Sequence, residues 1–205
     1  PTNRGWHLVG KLGKKITHRS MFLGDQMYSE VKFFNLFWTC LIRATLDRKS
    51  DFRNVVVSLF GETHPTVRIM VLREVISDTK TFIFFTDNMS EKYKLVVKNP
   101  NASLLLWDKR KRIQARITGY FSIEDNKVNH WEKLNSISKS QYGSIPFPST
   151  PINSHNDYNL VASIDRFIVL KFHPSRFDLL KLDRDQHIRA FFDKEKEWSG
   201  NWVAP

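Results

Sequence analysis

The sequence predicts a mainly β fold with flanking helices, arranged as a small closed antiparallel barrel. Three observations lead there. From residue 54 onward the apolar residues recur with a period of two, in short segments separated by tight turns. Six or more such segments are spread along the chain, and helical periodicity is confined to three stretches. Short strands in successive hairpins leave exposed edges unless the sheet closes on itself, with helices covering the open ends.

The elements follow in order. Residues 1–27 read as a basic N-terminal arm punctuated by Gly5, Gly10, Gly13 and Gly24, and residues 28–205 as a single domain. Tyr28 to Arg48 predicts an amphipathic helix with Val31, Phe34, Trp38, Leu41 and Ile42 on one face, widened by Phe33 and Phe37. Strands are predicted at Asn54–Gly61, Thr66–Ile76 and Thr81–Phe85, joined by turns at 62–65 and 77–80. A helix follows from Ser90 to Val97, stopped at Asn99-Pro100. Ala102–Asp108 and Ile113–Ile123 form a hairpin around Lys109-Arg110-Lys111-Arg112, which reads as a solvated turn with a groove for an anionic ligand or polymer as the alternative, and Val128–Ser138 reads as helix. Residues 140–165 lack periodicity and hold Pro146, Pro148 and Pro151, the mark of a long loop, and loops of this length are functional or mobile. Strands return at Arg166–Phe172, Phe177–Leu182 and Arg189–Phe192.

Composition narrows the function classes. With 205 residues, 41% of them hydrophobic and 16 of them Phe, the chain can bury a substantial core as one domain. No apolar run reaches the roughly 18–20 residues of a membrane span, and the first twenty residues lack the apolar stretch of a signal peptide. The single Cys40 rules out an internal disulfide framework, and a cytoplasmic setting is expected. The net charge of +11 invites a nucleic-acid reading, but the basic residues are spread along the whole chain. Zinc-binding Cys and His spacings, nucleotide-binding glycine loops and the hydrolase nucleophile elbow are all missing. No metal site is expected.

Two awkward cations carry the functional signal. In the strand from Thr66, Arg68 shares a face with Met70 and Leu72, while Val67, Ile69 and Val71 share the other. An Arg among core residues is costly unless its charge is matched, and a phosphate would match it. Lys92 lies in the first turn of a helix, where the macrodipole disfavours a cation unless an anion is bound. Thr86, Ser90 and the free N–H groups of that turn complete a ready site for a phosphate monoester. A structural salt bridge at Arg68 and a solvated Lys92 are the plainer alternatives.

Arg68-Ile69-Met70-Val71-Leu72-Arg73, Phe85-Thr86-Asp87, Ser90-Glu91-Lys92, Asn99-Pro100, Gln114 and Gly119 together resemble the pyridoxamine 5'-phosphate oxidase family, from about residue 54 to residue 123. The resemblance implies a six-stranded antiparallel split β-barrel of the FMN-binding type, a homodimer with FMN at the subunit interface, and a small-molecule substrate. It implies that Arg68 and Lys92 bind the FMN phosphate, with Thr86 and Ser90 as hydroxyl and backbone donors beside Phe85. Ile69, Met70, Val71 and Leu72 would pass beneath the isoalloxazine ring, Arg73 would stand near flavin and substrate, and Gln114 would reach the flavin from the partner subunit. Arg68 and Arg73 are an odd number of residues apart, so a bulge or strand end must re-aim Arg73 if both touch one ligand. Glu91 stands where the family's oxidases have Arg. Their C-terminal Arg-Leu-His-Asp-Arg motif is missing, with Arg189 the candidate for its last Arg and for substrate binding.

The functional expectation is an FMN-dependent oxidoreductase related to that family, without an assigned catalytic acid or base. The alternative is a flavin-binding or sensing protein of the same fold that does not turn over. A basic nucleic-acid-binding protein is the third reading, and nucleic acid and membrane are not the partners expected.

Overall fold

A computed structural model of the chain describes residues 29–205, so the arm read at 1–27 lies outside the described residues. The first element is helix α1, Glu30–Leu46, started by Ser29, whose side chain accepts the Lys32 N–H. It ends at Asp47, which turns extended while its N–H still reaches the Arg43 carbonyl. The buried face differs from the predicted one. Phe33, Phe34, Phe37, Trp38, Cys40, Leu41 and Ala44 are inside, and Val31 and Ile42 are exposed. The pair Phe33–Phe37, one turn apart, centres the stripe. Phe37 meets Phe52 and Phe177, while Phe34 meets Phe177 and Phe192. Each such ring stabilises the fold by roughly 2 kcal/mol through burial.

Strands β1 (Asn54–Phe60), β2 (Pro65–Val71), β3 (Glu74–Ile76) and β4 (Thr81–Asp87) lead into helix α2 (Glu91–Lys98). Strands β5 (Asn101–Asp108) and β6 (Ile113–Ile123) form the next hairpin. Short helices α3 (Val128–Glu132) and α4 (Ser136–Lys139) precede a two-residue pairing of β7 (Ser144–Ile145) with β8 (Asn159–Leu160). The chain finishes with β9 (Phe167–Lys181), β10 (Ile188–Asp193) and β11 (Gly200–Val203). No helix among the described residues is long and apolar enough to cross a membrane.

The pairing closes a circuit. β1 lies between β2 and β5, β5 pairs β6, β6 pairs β9, and β9 pairs β4. β4 then pairs β3, which continues β2 across Leu72 and Arg73. With β2 and β3 taken as one bent strand, six antiparallel strands surround the core, as expected of the split barrel. β10 and β11 extend the sheet from the second half of β9.

Three boundaries depart from the sequence reading. The single strand expected at 66–76 breaks because the Leu72 N–H donates to the Arg53 carbonyl (2.8 Å) and the Arg73 N–H to the Ile83 carbonyl (2.9 Å). The helix expected at 128–138 is interrupted, since Asn135 starts a new helical turn by accepting the Ser138 N–H. The two strands expected at 166–172 and 177–182 are one. Its register shifts where Gly119 faces Pro174 and Thr118 faces Arg176, so Ser175 is bulged out. A Cβ on Gly119 would lie 2.2 Å from the His173 carbonyl oxygen, which is why this position on β6 carries no side chain.

β4 is buried on both faces. Phe82 and Phe84 enter the main core, while Ile83 packs with Tyr142, Phe167 and Val169 in a second cluster covered by Trp131 of α3 and by Leu134. Its C-terminal end and the start of α2 therefore rest on a rigid support.

Candidate functional site

The corner between β2, β4 and the start of α2 gathers the predicted phosphate residues. Strand alternation turns Arg68 to the side of its neighbour Val57, while Val67 and Ile69 are 63% and 66% exposed on the opposite face. The Arg68 side chain is 17% exposed and ion-pairs at 3.4 Å with Glu91, itself largely in solvent. Burial holds the Lys92 ammonium below its ordinary pKa, and the nearby Arg68 guanidinium pushes it further down. Asp87 and Glu91 oppose that shift without cancelling it. Two cations are thus held close enough to repel.

Ser90 begins α2 without a side-chain hydrogen bond to the helix. Its hydroxyl donates instead to the Asp87 carbonyl (2.6 Å) and accepts from the Thr86 hydroxyl (3.0 Å). Thr86 and Ser90 are both buried, so their hydroxyls brace the turn, and the first-turn N–H groups are the donors left without a side-chain cap. Repelling cations beside an uncapped helix start suit a multiply charged anion such as a phosphate monoester. The cofactor expected from the sequence fits this donor set.

Other predicted residues lie apart from this corner. Met70 and Leu72 are buried in the main core, while the Ile69 side chain is exposed and Val71 is half-buried. The break after β2 re-aims Arg73. Its guanidinium lies 5.4 Å from the Phe85 ring centroid and donates to the Tyr142 hydroxyl at 3.4 Å. Burial pushes the Tyr142 phenol up in pKa, with Arg73 acting against it.

Gln114 and Arg189 sit on the outer sheet face. Gln114 is part-buried opposite Trp107 and shares its face with Arg116. Arg189 makes two 2.9 Å hydrogen bonds to the two oxygens of Asp178, which also takes Arg116. Burial alone would raise the Asp178 carboxyl; the bonds from Arg189 and Arg116 overcome it and hold the group below its ordinary value. Beside this cluster a groove of about 550 Å³ runs along β1, β2, β5, β6, β9 and β10, lined by residues that include Val56, Val67, Leu105, Arg116 and Phe191.

Sequence reasoning missed Arg166. Its guanidinium is 13% exposed and bridges to Asp87 at the end of β4, with Nη2 2.7 Å from Oδ2. The partners are far apart in sequence, and an Arg at a strand start carries no local sign of a buried pair. Tyr142 lies within the stretch 140–165 that the sequence presents only as a long loop without periodicity.

Comparison with known proteins bears on the same residues. Residues 35–125 match the family model for the pyridoxamine 5'-phosphate oxidase FMN-binding domain. A pyridoxine/pyridoxamine 5'-phosphate oxidase from Thermosynechococcus vestitus is 27% identical over 111 residues, 54% of this chain and 51% of that protein. The match therefore spans about half the length of this curated relative. Among solved structures, a pyridoxamine 5'-phosphate oxidase-related, FMN-binding protein from Nostoc punctiforme superposes with a TM-score of 0.69 at 21% identity, covering 83% of this chain and 96% of that one. PhzG from Burkholderia lata, solved with tetrahydrophenazine-1-carboxylic acid, gives 0.67 at 16% identity, covering 88% and 95%. These two likenesses show a shared fold. The matched segment contains Arg68 through Gln114 and ends before Arg166 and Arg189.

Proposed function

We propose that this chain, whose residues 35–125 match the family model for the pyridoxamine 5'-phosphate oxidase FMN-binding domain, binds FMN at the β2–β4–α2 corner and serves as an FMN-dependent oxidoreductase. The observation that carries the reading is the closeness of Arg68 to a desolvated Lys92 at a helix start with no side-chain cap. Arg68, Lys92 and the first-turn N–H groups of α2 would hold the phosphate, with Thr86 and Ser90 fixing the turn. The main chain from Ile69 to Leu72 would run along the ring, and Arg73, stacked on Phe85, would supply positive charge near it. Bound FMN would supply hydride acceptance from a small-molecule substrate and delivery of the electrons to oxygen or another acceptor. Binding, orientation and electrostatics would remain the work of the chain.

A homodimer completes the proposal. Gln114 and Arg189 face outward, away from the side on which Arg68 lies, so they would reach a flavin held by a second copy. Exposed Val67, Ile69, Leu105 and Trp107 make an apolar face over β2 and β5 of the kind that marks an interface. A flavin-binding protein without turnover is the second reading. What favours it is that Arg189, the candidate substrate residue, already has its guanidinium engaged by Asp178.

The direct test is a flavin spectrum of the purified protein, with release of FMN on denaturation. FMN is expected at about one per chain. A colourless protein that cannot be reconstituted with FMN refutes both readings. A flavin that no nicotinamide or phosphorylated pyridoxine-type donor reduces supports the second over the first.

A further inference from the structure

The turn that begins α2 carries a negative charge where the proposed ligand is itself an anion. Asp87 closes the turn, its Oδ1 accepting the Met89 N–H at 2.7 Å. Its carboxylate is close enough to act on Lys92. An Asn at this position could accept the same N–H without the charge. Left alone, the carboxylate would repel a phosphate at the corner and would be costly to bury.

Arg166 answers both problems. Its Nε donates to Asp87 Oδ1 at 3.1 Å, and Nη2 lies 2.7 Å from Oδ2. Both side chains are nearly enclosed, at 13% and 7% exposure, so water screens the pair little. The remaining contacts fix the guanidinium from the other side: Nη1 donates to the Ser144 carbonyl at 2.6 Å, and the Phe147 ring centroid is 5.0 Å away. The backbone joins as well, because the Asn88 N–H donates to the Arg166 carbonyl (2.9 Å) and the Asn88 amide to the Asp165 carbonyl (3.1 Å). A buried pair of this kind is weak evidence for stability alone, since an apolar pair often does as well. Its place beside the anion corner gives it a further use.

Resting on the FMN reading above, we propose that Arg166 is a positioning residue for the phosphate corner: by neutralising Asp87 where α2 begins, it makes the site select phosphorylated flavin over riboflavin. The isoalloxazine and ribityl groups are common to both ligands, so the ratio of their affinities isolates the phosphate. A residue that only maintained the fold would change both affinities together.

The test is flavin titration of the 205-residue chain, freed of bound flavin, with FMN and riboflavin separately. Arg166→Met exposes the phosphate to an uncompensated carboxylate, and the FMN-to-riboflavin affinity ratio should fall about tenfold or more. Asp87→Asn in the same chain removes the carboxylate, and most of the ratio should return. Arg166→Lys retains the charge and should keep the ratio within about threefold. Asp87→Asn alone leaves Arg166 uncompensated, and its ratio should exceed that of the wild type; this variant decides the matter if Arg166→Met does not fold. Equal loss of both flavins in Arg166→Met, no recovery in the double variant, or an unchanged ratio in Asp87→Asn overturns the role of Arg166. A wild-type chain that binds neither flavin overturns the FMN reading instead.

Discussion

Two regions of this protein collect arginines and lysines, and they treat the charge in opposite ways. On the outer face Asp178 receives Arg116 and Arg189, and Asp193 receives Arg176. These carboxylates raise the affinity of Arg176 and Arg189 for their protons. At the β2–β4–α2 corner the one ion pair of Arg68 among the described residues is to the solvent-exposed Glu91, and Lys92 is pushed toward neutrality by burial and by Arg68. Sequence charge counts do not separate the two regions. Pairing does: where carboxylates saturate the cations the cluster is structural, and where burial and the neighbouring Arg68 disfavour the Lys92 ammonium, a ligand's negative charge has a role to fill.

Breaking the corner should have the largest effect. Replacing both Arg68 and Lys92 with Ala removes the two charge-assisted contacts proposed for the phosphate, and FMN affinity should fall by about a hundredfold or more. Equilibrium dialysis against FMN measures it. Unchanged affinity would mean that the phosphate lies elsewhere. Removing charge from the outer cluster should act differently. Asp178→Asn strips the carboxylate from Arg116 and Arg189 and should destabilise the chain by about 2 kcal/mol, discounted because Arg116 is half in solvent. That amounts to a melting temperature lower by about 4–8 °C. The FMN-to-riboflavin affinity ratio should hold within about twofold, since no phosphate contact changes. A collapsed ratio would show that the two regions are coupled and would erase the contrast drawn between them.

The two regions were unequally legible in the sequence. At the corner the signals are local. Alternation along β2 puts Arg68 with Met70 and Leu72, and Ser90 followed by a short amphipathic run marks where α2 begins. Each can be read within ten residues. The outer cluster depends on register between β6, β9 and β10, which is set by long-range pairing and by the bulge at Ser175. Pro174 hid the continuity of β9, because a proline usually ends a strand; here it falls at the irregularity opposite Gly119. The re-aiming of Arg73 was foreseeable as a need, from its odd spacing to Arg68. Its means, hydrogen bonds from Leu72 and Arg73 to Arg53 and Ile83, was not, because nothing local announces those partners. The helical face of α1 was read slightly rotated, since Phe33 and Phe37 outweigh Val31 and Ile42 in the space they fill.

The smallest expected effect sharpens the contrast further, through protons. Lys92 is held below its ordinary pKa of 10.5 in the folded chain, first by burial and then by Arg68. Between that depressed value and 10.5 the unfolded chain binds more protons than the folded one, so stability without ligand rises with pH across this window. Below the window Lys92 is protonated in both states and the whole penalty is present. A phosphate monoester reverses the balance, because its charge favours the ammonium form and lifts the Lys92 pKa toward the ordinary value. FMN binding within the window should therefore take up a proton and weaken as pH rises. The phosphate's own second ionisation, near pH 6, falls well below this range. Calorimetric titration in buffers of different ionisation enthalpy reads the uptake directly. Lys92→Met should abolish it and, by removing the buried cation, raise the melting temperature of the ligand-free chain by about 1–2 °C. If the uptake persisted in Lys92→Met, another group would be meeting the phosphate, and the corner's spare charge would lie on Arg68 alone.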